Sequence, residues 1–398
     1  MARSRHPFLL LLIAAVALGL APTTAGAVLG DTAATIAIEA MFRGNPGRTG
    51  ELVGPGPVGP PVLKWRFEPG AAVVVSAAVA DGVLYAGSWD HNLYALDVRT
   101  GNERWRFQAG AGFYSSPAIA HGIIYAGGND GVLYAVEAAT GVERWRFAAQ
   151  APIWSSPIVV GGSLFFGSID GGLYAVDATT GRLIWRHATA GMIWSSSPAV
   201  VDGTVYVGVF VDGERGNGLV AAVDAATGRE RWRFQTSGAV YNTPAVAGGT
   251  VYVASHDGAL HALAAENGAE RWQYRPAEGF GFGSSPAISG RLVYLSDRAG
   301  YLVAIGAATG DLRWRIRYGS TLGTSPIVSD GVIYLATETG TMLAVDATTR
   351  AIDWIFETDA AAGSSPVVAN GMVFLGTGRS YHEAAEGYIY AIGDQERE

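Results

Sequence analysis

The chain has 398 residues, of which 49% are hydrophobic and 16% charged, with 55 glycines, 17 prolines, no cysteine and a formal net charge of −8. This excludes a disordered polypeptide, and the length exceeds what one continuous core usually serves, so a modular architecture is expected. An acidic surface repels phosphate backbones and excludes nucleic acid as the main partner, while the missing cysteine excludes disulfides, thiolate metal sites, a cysteine nucleophile and a lipoprotein anchor.

In chain order, Arg3, Arg5 and His6 precede an apolar run from Pro7 to Ala21, and the small residues Thr24-Ala25-Gly26-Ala27 follow. This succession reads as a secretory signal peptide over residues 1–27, and the apolar run is shorter than the roughly 20 residues a membrane span needs. The expectation is an exported protein, periplasmic or extracellular, with no membrane span after processing. Residues 28–60 form a Gly/Pro-rich lead-in containing Met41-Phe42-Arg43-Gly44-Asn45-Pro46-Gly47-Arg48-Thr49-Gly50.

A repeat governs the rest. Trp65, Trp105, Trp145, Trp185, Trp232, Trp272, Trp314 and Trp354 follow one another at 40, 40, 40, 47, 40, 42 and 40 residues, most often within Trp-Arg-Phe. The unit 113–147 reads as four strands. Tyr114 to Ile119 is the first; a turn at Gly122 leads to the second, Ile123 to Gly127; Asn129-Asp130-Gly131 is a hairpin before the third, Val132 to Glu137; and Thr140-Gly141 leads to Glu143 to Phe147. In that fourth strand Trp145 and Phe147 share one face, and Arg144 and Arg146 share the solvent face. Each buried tryptophan removes about 200 Å² from water, worth at most about 5 kcal/mol, so the eight hold neighbouring units together. Glycine follows threonine at Gly101, Gly141, Gly181, Gly228 and Gly310, where a tight turn favours positive φ, and Arg350 breaks the pattern.

Eight copies of the first three strands begin near residues 73, 113, 153, 193, 240, 281, 322 and 362. The last copy ends at Tyr390-Ala391-Ile392 without a tryptophan strand, and the missing strand stands at the other end of the chain as Lys64-Trp65-Arg66-Phe67. The predicted fold is therefore all-β: an eight-bladed β-propeller of four-stranded antiparallel blades over residues 61–394, closed when the N-terminal strand joins the last blade, with 395–398 as a tail.

Alternating strand direction puts the connections into each first strand, and those between second and third strands, on one face of the ring. The opposite face carries short turns such as Asp81-Gly82 and Thr100-Gly101. Expansions at Val211–Gly218 and Arg379–Gly387 fall on the first face, where binding is expected. There the first strands begin with Tyr114, Trp154, Trp194 and Tyr241, with Phe282 next and offset by one residue, while Val74, Gly323 and Gly363 stand at the equivalent positions elsewhere. Two readings of this aromatic arc stand: a surface for a planar or sugar-like ligand or a peptide, or rings that pack between inner strands.

Four histidines invite a metal reading, because Asp90-His91 and His256-Asp257 occupy matching hairpins. With His261 and His382 they sit mostly several blades apart, so solvated turns are expected instead of a metal site. No catalytic serine–histidine–carboxylate set, phosphate loop or paired acids stand out, and the Ser-Ser-Pro triplets at 115, 155, 196, 284 and 364 read as structural.

The segments Ala95 to Trp105 (ALDVRTGNERW) and Ala222 to Trp232 (AVDAATGRERW) resemble the tryptophan-docking motif of PQQ-like propellers, a family that includes quinoprotein dehydrogenases and BamB-type assembly scaffolds. The resemblance extends from residue 41 onward. It implies a non-catalytic binding or assembly scaffold whose partner is an envelope or extracellular protein or peptide, with no cofactor. The alternative it implies is a PQQ-dependent oxidoreductase of alcohols or sugars, with PQQ and calcium as cofactors. Quinoprotein alcohol dehydrogenases stack the quinone on a disulfide between neighbouring cysteines and are commonly longer; this chain has no cysteine, and no Glu, Asn and Asp grouping matches their calcium site. The lipid anchor of BamB is missing as well.

Overall fold

The computed structural model describes residues 40–211, 216–277, 281–318, 324–378 and 386–395. The segment expected to be a signal peptide and most of the two loop expansions thus lie outside the described residues. All regular structure within them is β: eight antiparallel sheets of four strands, one of which carries a short fifth strand.

Blade 1 sets the pattern, with strands Ala78–Ala80, Val83–Gly87, Asn92–Asp97 and Glu103–Gln108 from the channel outward. Its first turn, Asp81-Gly82, has φ of 49° and 72°, the paired left-handed geometry that matches strand twist in two-residue hairpins. The third strand is buried through Leu93, Tyr94, Ala95 and Leu96, whereas the fourth alternates half-buried Trp105 and Phe107 with exposed residues, as the outermost strand of a blade does.

The core consists of eight clusters wedged between blades. Each tryptophan packs on an aromatic of its own blade's second strand, from Tyr125–Trp145 at 5.7 Å to Tyr334–Trp354 at 5.9 Å between ring centroids. Trp105 Nε1 then reaches the Ala138 carbonyl of the next blade at 3.0 Å, and the Tyr85 hydroxyl donates to the same oxygen. Trp65, Trp145, Trp185, Trp232 and Trp272 make the corresponding bond to Val98, Ala178, Ala225, Ala265 and Ala307. The glycine after threonine serves this contact as well as its turn: a Cβ on Gly141 would lie 2.8 Å from the Trp105 ring, and its φ is +74°. Arg350 nevertheless holds φ 67° at the equivalent place in blade 7.

The ring closes as the repeat requires. Val62–Phe67 pairs antiparallel with Ile389–Gly393, with Trp65 opposite Ala391 and Phe67 opposite Ile389. A second closure runs around the channel, where the Ser76 amide donates to Ser116 Oγ, Ser116 to Ser156, Ser156 to Ser197, Ser197 to Thr243, Thr243 to Ser285, Ser285 to Ser325 and Ser325 to Ser365. Ser76 Oγ returns to the Ser365 carbonyl. The recurrent hydroxyl of the Ser-Ser-Pro sequence thus satisfies an otherwise orphaned inner-strand amide of the preceding blade.

Residues 40–60, which read from sequence as a lead-in ahead of the propeller, run through it. Ala40 exchanges both backbone hydrogen bonds with Ile119, and the carbonyls of Pro46, Gly47, Thr49 and Gly50 accept from the amides of Val200, Val246, Ile288 and Val328. Glu51–Leu52 then lies parallel to Ile327–Ser329 as the fifth strand of blade 7. Arg48, fully buried, donates to the carbonyls of Phe42, Ser156, Pro157 and Pro198. Arg43 donates to Arg48 and Pro286. Burial pushes both guanidinium groups down to about 9. The chain leaves the channel past Gly56, packed on Tyr334, and Val58 and Gly59 hydrogen bond to Asp394 before the closing strand begins.

Candidate ligand cup on the loop-rich face

The rings at the starts of the first strands touch in series. Centroids lie 4.7 Å apart for Tyr114–Trp154, 5.1 Å for Trp154–Trp194 and 5.8 Å for Trp194–Tyr241. All four are partly exposed. Polar side chains beside three of them tie the segment to the second strand: Ser115 Oγ bonds both the amide and the carbonyl of Gly127, Ser196 Oγ accepts from the Gly208 amide, and Asn242 Nδ2 donates to the Ala254 carbonyl. Arg48 fixes the carbonyls of Ser156 and Pro157 from below, so the lead-in forms the floor under the rings.

Three further aromatic groups join the arc. Trp89 lies 6.0 Å from Tyr114, Phe210 stacks on Tyr241 at 5.6 Å, and His256 sits edge-on to Tyr241 at 4.7 Å. Trp89 and His256 occupy equivalent places, between a serine and an aspartate in their hairpins, and Asn129 stands at the same place in blade 2, where it accepts from Trp154 Nε1. Sequence comparison had matched Asp90-His91 with His256-Asp257; the hairpins instead align Trp89-Asp90 with His256-Asp257. That alignment was the available signal for both residues. Arg298 Nη2 lies 2.9 Å from His256 Nε2. Burial and the Arg298 charge hold the His256 pKa below the ordinary range, so the ring is a neutral acceptor at neutral pH.

Phe282 does not join the arc. It is 1% exposed, packs with Ala254, Leu260 and Ile288, and bridges to Asp297. Phe113 and Ile153 hold the same buried place, and Gly283 takes the position of Tyr114. With Val74 and Gly363 also small, the cup has one aromatic wall and one smooth wall. Gly323 and His382 lie outside the described residues.

His261 is no solvated turn residue either. It is buried on the third strand of blade 5, with Nδ1 2.7 Å from Glu270 and Nε2 3.0 Å from Asp257. It replaces the tyrosine of other blades, such as Tyr174, whose hydroxyl donates to Asp170 at 2.6 Å. Burial works against its charged form, but the bonds to Asp257 and Glu270 outweigh it and raise the pKa. Among the described residues no three His, Cys, Asp or Glu side chains stand together as metal ligands. The cup offers stacking surface.

The sequence matches the family profile of outer membrane protein assembly factor BamB three times, over residues 62–192, 170–281 and 260–392. The chain belongs to this family. Its fold is shared with BamB from Moraxella catarrhalis (18% identity, TM-score 0.69, covering 83% of this chain and 99% of that one). It is shared equally with a europium-containing methanol dehydrogenase (15%, 0.76, 89% and 97%) and with the quinohemoprotein alcohol dehydrogenase from Comamonas testosteroni (17%, 0.71, 90% and 81%). At these identities the likeness is one of fold, common to scaffold and enzyme alike. No curated protein sequence matches the chain. No helix among the described residues is long and apolar enough to cross a membrane.

Proposed function

We propose that this BamB-family propeller is an exported, non-catalytic binding or assembly scaffold that grips an envelope or extracellular protein on its loop-rich face. The observation that carries this reading is the unbroken run of partly exposed rings from Trp89 to His256, set on a floor closed by the lead-in. Large rigid rings give much contact area for little lost side-chain entropy, which is why Trp and Tyr dominate binding hot spots.

The test is capture of a partner from cell-envelope extract by the purified protein, followed by calorimetry with the isolated partner. Trp154→Ala and Trp194→Ala together are expected to weaken binding by 2 kcal/mol or more, about 30-fold. Incubation with PQQ and calcium is the counter-test. A bound-quinone spectrum with dye-linked alcohol or sugar oxidation that those two substitutions abolish would overturn the scaffold reading in favour of a PQQ-dependent oxidoreductase.

A further inference from the structure

On the short-turn face the lead-in leaves one sector of the channel open. Every innermost strand points the amide of its central residue inward, and those of Ile119, Val200, Val246, Ile288 and Val328 are taken by lead-in carbonyls. The equivalent amides of Val79 in blade 1 and Val368 in blade 8 have no partner within the described chain. Val159 of blade 3 shares that state, but Arg48 lies across its blade. Blades 8 and 1 are neighbours across the ring closure. Between their strands Val367–Ala369 and Ala78–Ala80 and the lead-in lies a cavity of about 470 Å³. Its walls are mostly apolar, with Met41, Leu52, Ala77 and Ile327 among them, and Val53 stands fully exposed at its rim.

We propose that this cavity is a second binding site, which takes an extended apolar peptide segment whose carbonyls accept from the amides of Val79 and Val368. The chain's own lead-in shows how such a segment is held. Consecutive carbonyls serve adjacent blades, Pro46 and Gly47 for blades 4 and 5, Thr49 and Gly50 for blades 6 and 7. The repeat gives blades 8 and 1 the same relation, so a peptide of two or three residues spans their two donors. The cavity continues the interface that the lead-in already makes, and a strand laid there would extend the backbone pairing to blades 8 and 1 while covering Val53. This is strand addition to an exposed sheet edge, in which main-chain bonds give affinity and pockets select side chains. An open apolar pocket of this size with two convergent polar groups fits a short segment better than a folded surface.

The probe is a terminally blocked Val-Thr-Val peptide added to the full-length protein, read by amide hydrogen exchange. Exchange at Val79 and Val368 is expected to slow at least tenfold on saturation, with Val200 and Val246 unchanged. Ala369→Leu, which narrows the cavity, and Val79→Pro, which removes one donor at a sheet edge, are each expected to weaken the peptide about three- to tenfold. Because Val79→Pro can disturb the strand, the exchange result on the unaltered protein decides. Unchanged exchange at the two amides would overturn the proposal. So would binding insensitive to Ala369→Leu, or an apolar dye held in the cavity that the peptide cannot displace.

Discussion

The glycine that follows threonine in most blades has two separable duties, and a pair of substitutions isolates the second. Gly122 and Gly141 both sit at positive φ, 72° and 74°, in tight turns of the same blade. A Cβ on Gly122 meets nothing within 4 Å, whereas one on Gly141 falls 2.8 Å from the Trp105 ring. Gly122→Ala therefore carries only the left-handed backbone cost of about 1–2 kcal/mol, partly offset by the lower entropy of the unfolded chain. Gly141→Ala adds a clash that is relieved only by moving a packed indole away from its bond to Ala138, costing about 1–3 kcal/mol of overpacking and about 1 kcal/mol of hydrogen bond. Equilibrium urea unfolding at constant m-value should place Gly141→Ala about 2–4 kcal/mol below Gly122→Ala. Equal losses would refute the claim that the turn glycine exists to admit the neighbouring blade's tryptophan.

Other consequences follow from single residues. Arg350→Gly removes a side chain from the left-handed region in blade 7 and should stabilise the protein by about 1 kcal/mol, read as a higher urea midpoint. Ser156→Ala leaves the Ser116 amide buried without an acceptor and should cost about 1–3 kcal/mol in the same assay. The raised pKa of His261 gives its ion pairs a definite pH window. Their contribution is fully present below the unfolded-state value near 6.5 and is lost as pH rises through the higher folded-state value. The stability gap between the native protein and His261→Gln should accordingly be wider at pH 6 than at pH 9, and a gap that grows with pH would contradict the buried pairing.

The propeller was legible because its determinants repeat: one tryptophan per blade, one strand pattern, and one strand missing from the last copy and supplied at the other end of the chain. Phe282 was misplaced because Phe-Gly-Ser-Ser-Pro puts the ring one residue earlier than Tyr-Ser-Ser-Pro does, and a two-residue strand period then sends it to the core. Trp89 was missed, and His256 was read only as a turn residue, through a hairpin alignment that was off by one. The path of the lead-in left no periodic trace, since Pro46, Gly47, Thr49 and Gly50 act through backbone carbonyls that every residue possesses. Arg48 gave no warning either, because it is buried against carbonyls with no carboxylate beside it. The serine hydroxyls around the channel were visible as a repeat, but their bond to the preceding blade emerges only once eight copies face one axis.

The binding role of the aromatic face is tested most directly by photo-crosslinking from two exposed positions in the producing cell, one at His256 at the end of the arc and one at Thr179 on the short-turn face. A discrete protein adduct from position 256 that disappears when Trp154 and Trp194 are replaced by alanine, with none from 179, is the expected result. An adduct from 179 alone, or one from 256 that survives the loss of both tryptophans, would contradict it.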